Sequence, residues 1–470
     1  MKLFTTRYAK AKAPVANRRW AVTYEEMRSV HPIRWSAFAV CAALAVPGLA
    51  QDTLTLDQAL RLARAKNGNL AAAQESVRAA RARAKGAFAA FLPTVTPSLS
   101  YSDQNREQLT GFPKGSFISS GTTTDIEARF KLFDTGERDL AYRGARLSLD
   151  AETLNAIQTV RETLVDVYTQ YFDALRAQEL VKVSVAQVTR ARLALAQTEA
   201  QIKVGEAAEK DRYQPEADAL NAEVDRLSAE ARRRSAEAAL KATIGFDMSS
   251  ALPVLERFEE PGALTMIVSD DELGAFRNEG LKSRADLNAT RKRLQGQDLG
   301  VRLAKVNGGI KWSVDVAFTR TFGPDVINNR LLGVSASFPL YDGGRSRAEI
   351  AEAEASRDGS AFQLQQSERQ VEAAIESAFY SHRLNFERVR AARSALNAAR
   401  TNYEKVSKAQ ELGAQGTDVV AVSTAQVTLA TAERNYVEAI YDFYISEVQL
   451  QLAIGRPIKG EEDVPPERVE

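Results

Sequence analysis

The sequence predicts a mixed α/β membrane protein that consists mainly of long helical hairpins and also carries four β-strands. Three observations predict this fold class. Two stretches of more than 50 residues contain neither glycine nor proline, four shorter segments alternate apolar and polar side chains, and one pattern of elements occurs twice within the 470 residues. Long stretches of helix-favouring residues indicate helices, whereas a side-chain period of two indicates strands.

The first 50 residues are predicted to be an export signal. An apolar run over residues 35–46 follows two arginines, and small residues precede a cleavage position after Ala50. Residues 1–26 contribute nothing to such a signal, so we expect translation to start at Met27; a long polar leader segment is the alternative. The single cysteine, Cys41, lies inside the apolar run, which predicts a mature chain without a thiol, a disulfide or a lipid anchor.

The charges exclude one class of partner. Residues 51–470 hold 54 basic and 59 acidic side chains, a net charge of −5, and no basic stripe is visible. Nucleic acid is therefore not an expected partner.

No apolar run of about 18 residues follows residue 50, so a membrane-embedded part would have to be a closed β-barrel.

The internal repeat divides the chain into two halves. Phe130–Gly136 (FKLFDTG) recurs 208 residues later as Phe338–Gly344 (FPLYDGG), and NGNL at 67–70 aligns with RADL at 284–287 at an offset of 217. We expect a first repeat over residues 51–255, a second over residues 256–457, and a C-terminal tail over residues 458–470.

The alternating segments predict strands at about 93–103, 122–133, 310–321 and 331–341, with loops over residues 111–124 and 323–330 between paired strands. A soluble antiparallel sheet gives the same alternation, but the export signal favours a membrane sheet with one face towards lipid. The residues predicted to face lipid are Ile126, Phe130, Leu132, Trp312, Val314, Val316, Phe318, Val334 and Phe338.

The long stretches predict two helical hairpins. The segment from Ala145 to Val204 lacks glycine and proline over 60 residues, which corresponds to a helix of roughly 90 Å. We expect hairpins over about 137–245 and 345–455. Their tips are predicted at Gly205 and Gly413, because glycine adopts the left-handed conformation that ends a helix at little cost.

In this arrangement the chain resembles the TolC-type outer-membrane efflux protein family. The resemblance rests on LTLDQALRLARAKNGNL at 54–70, on Leu92-Pro93, on the repeated F-x-L-[FY]-D-x-G turn, and on the two tip glycines. It covers nearly all of residues 52–456. No single motif is decisive, but their order and duplication together are specific.

The resemblance implies a homotrimer whose twelve strands complete a β-barrel in outer-membrane lipid and whose helices form an α-barrel of roughly 100 Å through the periplasm. Residues 246–280 and the tail would lie in a belt around the helices. The implied function is the exit duct of a tripartite efflux or type I secretion system. Its partners would be a periplasmic adaptor protein and an inner-membrane pump of the RND or ABC type.

The resemblance also implies functional positions at the tips. Adaptor contacts carry over to Val204-Gly205 and to Leu412-Gly413. Asp418 and Asp211 are candidates for a ring of negative charge at the periplasmic gate, and the alternative is a solvated aspartate at the start of a helix. Gln410 and Gln415 stand where some members have a tyrosine and an arginine that lock the gate.

Catalytic, cofactor-binding and metal sites are not expected. Outside residues 1–50 the only histidine is His382, on a long charged helix, and we expect an ordinary surface residue there. No metal-ligand spacing, nucleophile elbow or P-loop occurs. The alternatives are that the chain is a periplasmic adaptor or a structural coiled-coil protein. A glycosidase-like enzyme would need a pair of carboxylates, and no pattern in the sequence indicates such a pair.

Overall fold

The structure is a computed structural model, and it describes residues 53–108, 115–256, 270–322, 326–411 and 419–461. The predicted export signal with its start at Met27, and the predicted positions Leu412, Gly413, Gln415 and Asp418, lie outside these ranges. All described residues belong to one compact unit, Gln51–Glu470.

Each half contains the predicted order of helix, strand, strand and helical hairpin. The elements of the first half are β1 (Thr53–Leu54), α1 (Leu56–Lys66), α2 (Gly68–Ala89), β2 (Thr94–Gln108), β3 (Gly115–Phe133), α3 (Glu137–Lys203) and α4 (Tyr213–Ile244). Those of the second half are β4 (Val254–Leu255), α5 (Leu273–Ser283), α6 (Ala285–Asn307), β5 (Lys311–Phe322), β6 (Val326–Ser337), α7 (Arg345–Glu411) and α8 (Val419–Ile454). Short 3₁₀ turns precede α4 and α5.

The helices α3 and α7 are the longest elements. Each has 67 residues, or roughly 100 Å at the rise of an α-helix. Both are longer than the stretches without glycine, because Gly144 and Gly359 lie inside them. Nothing stands within 4 Å of a Cβ at either glycine, so both are tolerated helix positions rather than breaks.

The four long strands form one antiparallel sheet in the order β2-β3-β5-β6. The predicted boundaries of three strands are wrong, and the first of these is the end of β2, which lies at Gln108 instead of about 103. The predicted loops over 111–124 and 323–330 are largely strand, because β3 starts at Gly115 and β6 at Val326. In addition, β6 ends at Ser337, one residue before Phe338. Proline at 339 offers no N–H to a ladder, which is consistent with pairing to β5 stopping there.

The main core joins the two halves at the middle of the long helices. Here α1, β1 and β4 pack against α3, α4 and α8 around Leu60, Leu164, Tyr171, Leu240 and Ile458. The Tyr171 hydroxyl donates to the Leu54 carbonyl at 2.9 Å, and burial raises the pKa of Tyr171 to about 12. The tyrosine is therefore a neutral donor that attaches β1 to α3.

Each hairpin has its own small apolar core nearer the tips. The first consists of Val188 and Ala191 on α3 with Ala219 and Ala222 on α4. The second consists of Leu396 and Ala399 on α7 with Leu429 and Ala432 on α8. Corresponding positions differ by 208 residues between α3 and α7 and by 210 between α4 and α8. The internal repeat therefore extends to side-chain packing.

Within the described ranges, no helix is long and apolar enough to cross a lipid bilayer.

Candidate functional site

One face of the sheet is mainly apolar and the other mainly polar, although Arg320 and Arg330 lie on the apolar face towards the β5–β6 loop. Residues directly opposite each other on paired strands share a face, and successive residues alternate. Phe130 lies opposite Val316, and Val314 opposite Val334. The pairing places seven of the predicted lipid-facing residues on one face: Ile126, Phe130, Trp312, Val314, Val316, Phe318 and Val334.

Further apolar residues, among them four large ones, extend this face beyond the prediction. Leu99 and Tyr101 on β2 face the same way through their pairing with β3, and Leu332 on β6 lies opposite Val316. The fourth is Phe133, which lies opposite Val314. The weak alternation of β2 hinted at the first two, but nothing in the sequence pattern indicated Phe133.

A β-bulge explains why Phe133 lies on the apolar face. The pairing passes from Lys131 opposite Asp315 directly to Phe133 opposite Val314, so Leu132 is an extra residue without a partner. Phe133 thus occupies the position that strict alternation assigns to Leu132, although both side chains are exposed. Leu132 and Phe338 are thus the two predicted lipid-facing residues that the pairing does not place on the apolar face. Phe338 lies beyond the end of β6, so the sheet does not fix the direction of its side chain.

The opposite face of the sheet carries hydroxyl and charged side chains that bond across strands. Thr321 donates to Asp125 at 2.6 Å, the hydroxyls of Ser313 and Ser335 are 2.8 Å apart, and those of Ser100 and Thr123 are 2.7 Å apart. Such a face suits contact with water.

Two aspartates connect the sheet to the long helices. Asp134 accepts hydrogen bonds from the Gly136 N–H at 2.9 Å and from Arg138 at 2.5 Å, and Arg138 also donates to the Lys131 carbonyl. In the second half, Asp342 accepts from the Gly344 N–H and from Ser346. The repeated F-x-L-[FY]-D-x-G motif is therefore a strand-to-helix turn held by its aspartate.

The first hairpin tip ends in a Schellman motif. Gly205 has a φ of +78°, its N–H donates to the Ile202 carbonyl at 3.1 Å, and the Glu206 N–H donates to the Gln201 carbonyl at 2.9 Å. The preceding Val204 is largely exposed. The tip thus presents the apolar side chain of Val204 next to the glycine backbone of Gly205. The corresponding pair in the second half, Leu412-Gly413, lies outside the described residues.

Asp211 is engaged in local structure. Its carboxylate accepts the Ala208 N–H at 3.1 Å, at the start of the 3₁₀ turn that leads into α4. Gln410 lines a small groove near the tips together with Asp218 of α4 and Ser423 of α8, and Ser423 donates to Asp218. No sequence pattern indicated this link, because its partners are 205 residues apart.

Polar contacts connect the first hairpin with α8. Arg190 on α3 pairs with Glu433 at 2.7 Å, with both side chains more than three-quarters buried. Arg176 pairs with Asp442 at 2.8 Å, and Arg434 lies 3.6 Å from Asp225. Towards the tips, the contacts inside each hairpin are thus apolar. The contacts between the first hairpin and α8 are polar.

The expectation that His382 lies on the surface is wrong. Its side chain is buried between α7 and α8, stacks on Phe443 with ring centroids 5.0 Å apart, and shares a 3.1 Å hydrogen bond with Ser446. Burial lowers the pKa of His382, so its neutral form is favoured. Within the described ranges, no cluster of three or more His, Cys, Asp or Glu residues is arranged to hold a metal ion.

The sheet has an exposed apolar face and is continued by helical hairpins of roughly 100 Å, which is the arrangement that the resemblance implies for an outer-membrane exit duct. The sequence pattern of the outer membrane efflux protein family matches residues 59–246 and 278–456. The chain belongs to this family.

Known proteins support the same class. The chain is 22% identical over 351 residues to the outer membrane protein TolC of Salmonella enteritidis, covering 72% of this chain and 70% of that protein. It is 24% identical over 334 residues to TolC of Vibrio cholerae, covering 68% and 75%.

Solved structures share the fold. The outer-membrane channel OprN superposes with a TM-score of 0.76 at 20% identity, over 86% of this chain and 90% of that one. The outer membrane protein VceC of Vibrio cholerae gives 0.74 at 16% identity, over 85% and 96%. The protein is an efflux channel of the outer membrane that extends into the periplasm.

Proposed function

We propose that this chain forms a homotrimeric exit duct of a tripartite efflux or type I secretion system. It carries substrates from the periplasm or from an inner-membrane pump to the outside and performs no chemistry. The observation that carries this proposal is the sheet. It has four strands, one exposed apolar face and two edges that pair with no other described strand, and it connects to long helical hairpins.

The unpaired edges favour assembly. Among the residues that the structure describes, strands β2 and β6 each pair on one side only, and an exposed strand edge is a template for another chain. Pairing β2 of one copy with β6 of the next is a head-to-tail contact, which makes a closed ring when the rotation closes. Three copies give a twelve-stranded barrel whose apolar face contacts lipid and whose polar face lines water.

The proposed partners act at the hairpin tips, at the end of the long helices that is far from the sheet. We infer that a periplasmic adaptor contacts the tips at Val204-Gly205 and Leu412-Gly413, where side-chain-free backbone allows close approach. An inner-membrane pump of the RND or ABC type supplies energy and cargo. Asp418 is the gate candidate we favour, because Asp211 already accepts a local hydrogen bond.

Insertion and conductance test the function. The purified protein is expected to fractionate with the outer membrane and to form ion-conducting pores in planar lipid bilayers. A periplasmic adaptor or a structural coiled-coil protein would remain in the soluble fraction and give no conductance. That outcome would overturn the proposal.

A further inference from the structure

Two arginines interrupt the apolar face of the sheet near the β5–β6 loop. Along β5, the positions on this face are apolar from Trp312 to Phe318, and the next one is Arg320. On β6, the position that follows Leu332 towards the loop is Arg330, which lies opposite Phe318. The two arginines are therefore diagonal neighbours on one face, about 7–8 Å apart.

The change from apolar to polar side chains follows an oblique line across three strands. On β3, the first polar residue beyond the apolar stretch is Thr124, which lies opposite Phe322. The change thus occurs one row of opposite residues farther on β5 than on β6, and one row farther again on β3. A level boundary crosses tilted strands in such steps, and the strands of membrane barrels tilt by about 35–45°. The arginines therefore mark one edge of the apolar band.

The height of the band is that of a membrane. Arg320 lies eight positions after Trp312 on β5, roughly 27 Å along the strand, or roughly 20 Å in height at this tilt. The apolar band of outer-membrane barrels is about 25 Å tall. The long helices join the sheet near Trp312, where β3 ends at Phe133. Because these helices extend into the periplasm, the arginines lie towards the outer surface of the membrane.

Both arginines are exposed, and neither has a carboxylate partner among the described residues. The Cζ atom of Arg320 lies 5.0 Å from the centroid of the Phe322 ring, so its guanidinium extends away from the middle of the band. The carboxylates on the adjacent strand, Asp125 and Glu127, belong to the polar face and accept hydrogen bonds from donors there. Charges next to lipid are costly unless a counter-ion or water reaches them.

We propose that Arg320 and Arg330 bind the phosphate groups of lipopolysaccharide in the outer leaflet of the outer membrane. A planar guanidinium donates two parallel hydrogen bonds to a phosphate. Lipopolysaccharide presents its phosphates at the edge of the hydrocarbon layer, where its acyl chains would lie against the apolar face of the sheet. This inference rests on the proposed function, which places that face against lipid, and it adds the lipid that the face binds.

Stabilisation by added lipid tests the proposal. The full chain in detergent is titrated with purified deep-rough lipopolysaccharide, and its unfolding temperature is recorded. The unfolding temperature of the wild type should rise. For the double variant Arg320→Gln and Arg330→Gln, the half-saturating concentration should be at least about tenfold higher, because charge-assisted hydrogen bonds are lost.

Arg129→Gln is the matched control. It removes a guanidinium from the polar face of the adjacent strand, where Arg129 donates to Glu127 at 2.6 Å. This variant should respond to lipopolysaccharide as the wild type does. An equal loss of response in the control and in the double variant would show a general effect of charge and would overturn the assigned site.

Three further additives identify the source of the phosphate. Phosphatidylcholine and inorganic phosphate should leave the difference between wild type and double variant near zero, and phosphatidylglycerol should produce a smaller difference than lipopolysaccharide. An equal difference with phosphatidylglycerol would overturn the assignment to lipopolysaccharide in favour of an anionic phospholipid. A difference with inorganic phosphate alone would overturn the assignment to a lipid.

Two further measurements separate this inference from folding and from the proposed function. The double variant Arg320→Lys and Arg330→Lys keeps the charge, and native mass spectrometry should show it retaining more lipopolysaccharide than the glutamine variant. Equal retention by the wild type and the glutamine variant, with ion conductance intact in both, would overturn the lipid site and leave the channel function standing. A wild type that neither reaches the outer membrane nor conducts ions would instead refute the proposed function.

Discussion

Gly245 ends α4 directly against Lys66 at the end of α1. A Cβ at Gly245 would stand 2.7 Å from the Lys66 Cβ and 2.8 Å from its carbonyl oxygen, and Gly245 has a φ of +66°. Gly455 repeats this relationship at the end of α8, where a Cβ would stand 3.0 Å from the backbone of Arg284. The same close approach thus fastens the end of the hairpin to the junction between two shorter helices, α1 and α2 in the first half and α5 and α6 in the second.

Gly245→Ala is expected to destabilise the protein strongly. The alanine adds both left-handed strain and a clash with backbone, which together cost at least about 2 kcal/mol. The measurement is the thermal unfolding temperature in detergent. Gly359→Ala is the matched control, since that glycine lies in open space inside α7 and alanine there should stabilise by about 0.5–1 kcal/mol. Equal melting temperatures for the two variants would refute the role assigned to Gly245.

Asp134→Ala should weaken the junction between β3 and α3. It removes the N-terminal hydrogen bonds and leaves Arg138, whose side chain is 14% exposed, without its carboxylate. We expect a loss of about 2–4 kcal/mol, read as a lower unfolding temperature. Asp139→Ala is the control, because its ion pair with Arg143 at 3.5 Å is solvent-exposed and should contribute less than about 1 kcal/mol.

Glu461→Ala is expected to release the segment around Ile458 from the main core. Arg161 binds both carboxylate oxygens of Glu461 at 3.0 Å and also the Gly455 carbonyl, and this holds the buried Ile458 in the core. Amide hydrogen exchange near Ile458 should become faster, corresponding to about 2 kcal/mol of local stability. Lys459→Ala breaks only an exposed pair with Asp57, so unchanged protection is expected there.

His382 should make the folded state sensitive to acid. Its pKa is lowered in the folded protein by burial, whereas the unfolded chain titrates near 6.5, so the unfolded state takes up the proton first. Its contribution is complete above about pH 6.5 and declines as the pH falls through the lowered folded pKa. His382→Gln should therefore show a shallower loss of unfolding temperature between pH 7.5 and 5.5.

The comparison with wild type isolates the histidine in that experiment. Burial raises the pKa of Glu447, a change that opposes the histidine on acidification, but it is present in both proteins. An identical pH dependence in wild type and variant would show that His382 does not titrate as inferred.

The two faces of β5 give opposite expectations for a new charge. Val316 is on the apolar face and the adjacent Ala317 on the polar face. A lysine facing lipid near the middle of the bilayer costs about 2–4 kcal/mol, whereas one facing water costs little. Val316→Lys should therefore reduce the amount of channel in the outer membrane, and Ala317→Lys should not. The reverse order would assign the lipid to the other face.

Local patterns predicted the repeated architecture well. Helix-favouring stretches marked α3 and α7, and alternation marked β5 and the apolar half of β3. The turn motif located Asp134 and Asp342 at the junctions. These features depend on residues close in sequence, where period and propensity act directly.

Features that depend on distant partners were not predictable. The bulge at Leu132 is fixed by pairing with β5, and the burial of His382 by α8. Residues 115–124 looked like a loop because glycine and serine there favour turns, yet pairing with β2 makes this segment strand. The ion pair between Arg190 and Glu433 joins residues that carry no signature of their own.

The most direct test of the account is to image the purified particle. Residues 27–470, expressed in a Gram-negative host and extracted from the outer membrane in detergent, should appear by negative-stain electron microscopy as a rod of at least roughly 100 Å with threefold end views. A soluble monomer, or a particle without threefold symmetry, would contradict the trimeric channel.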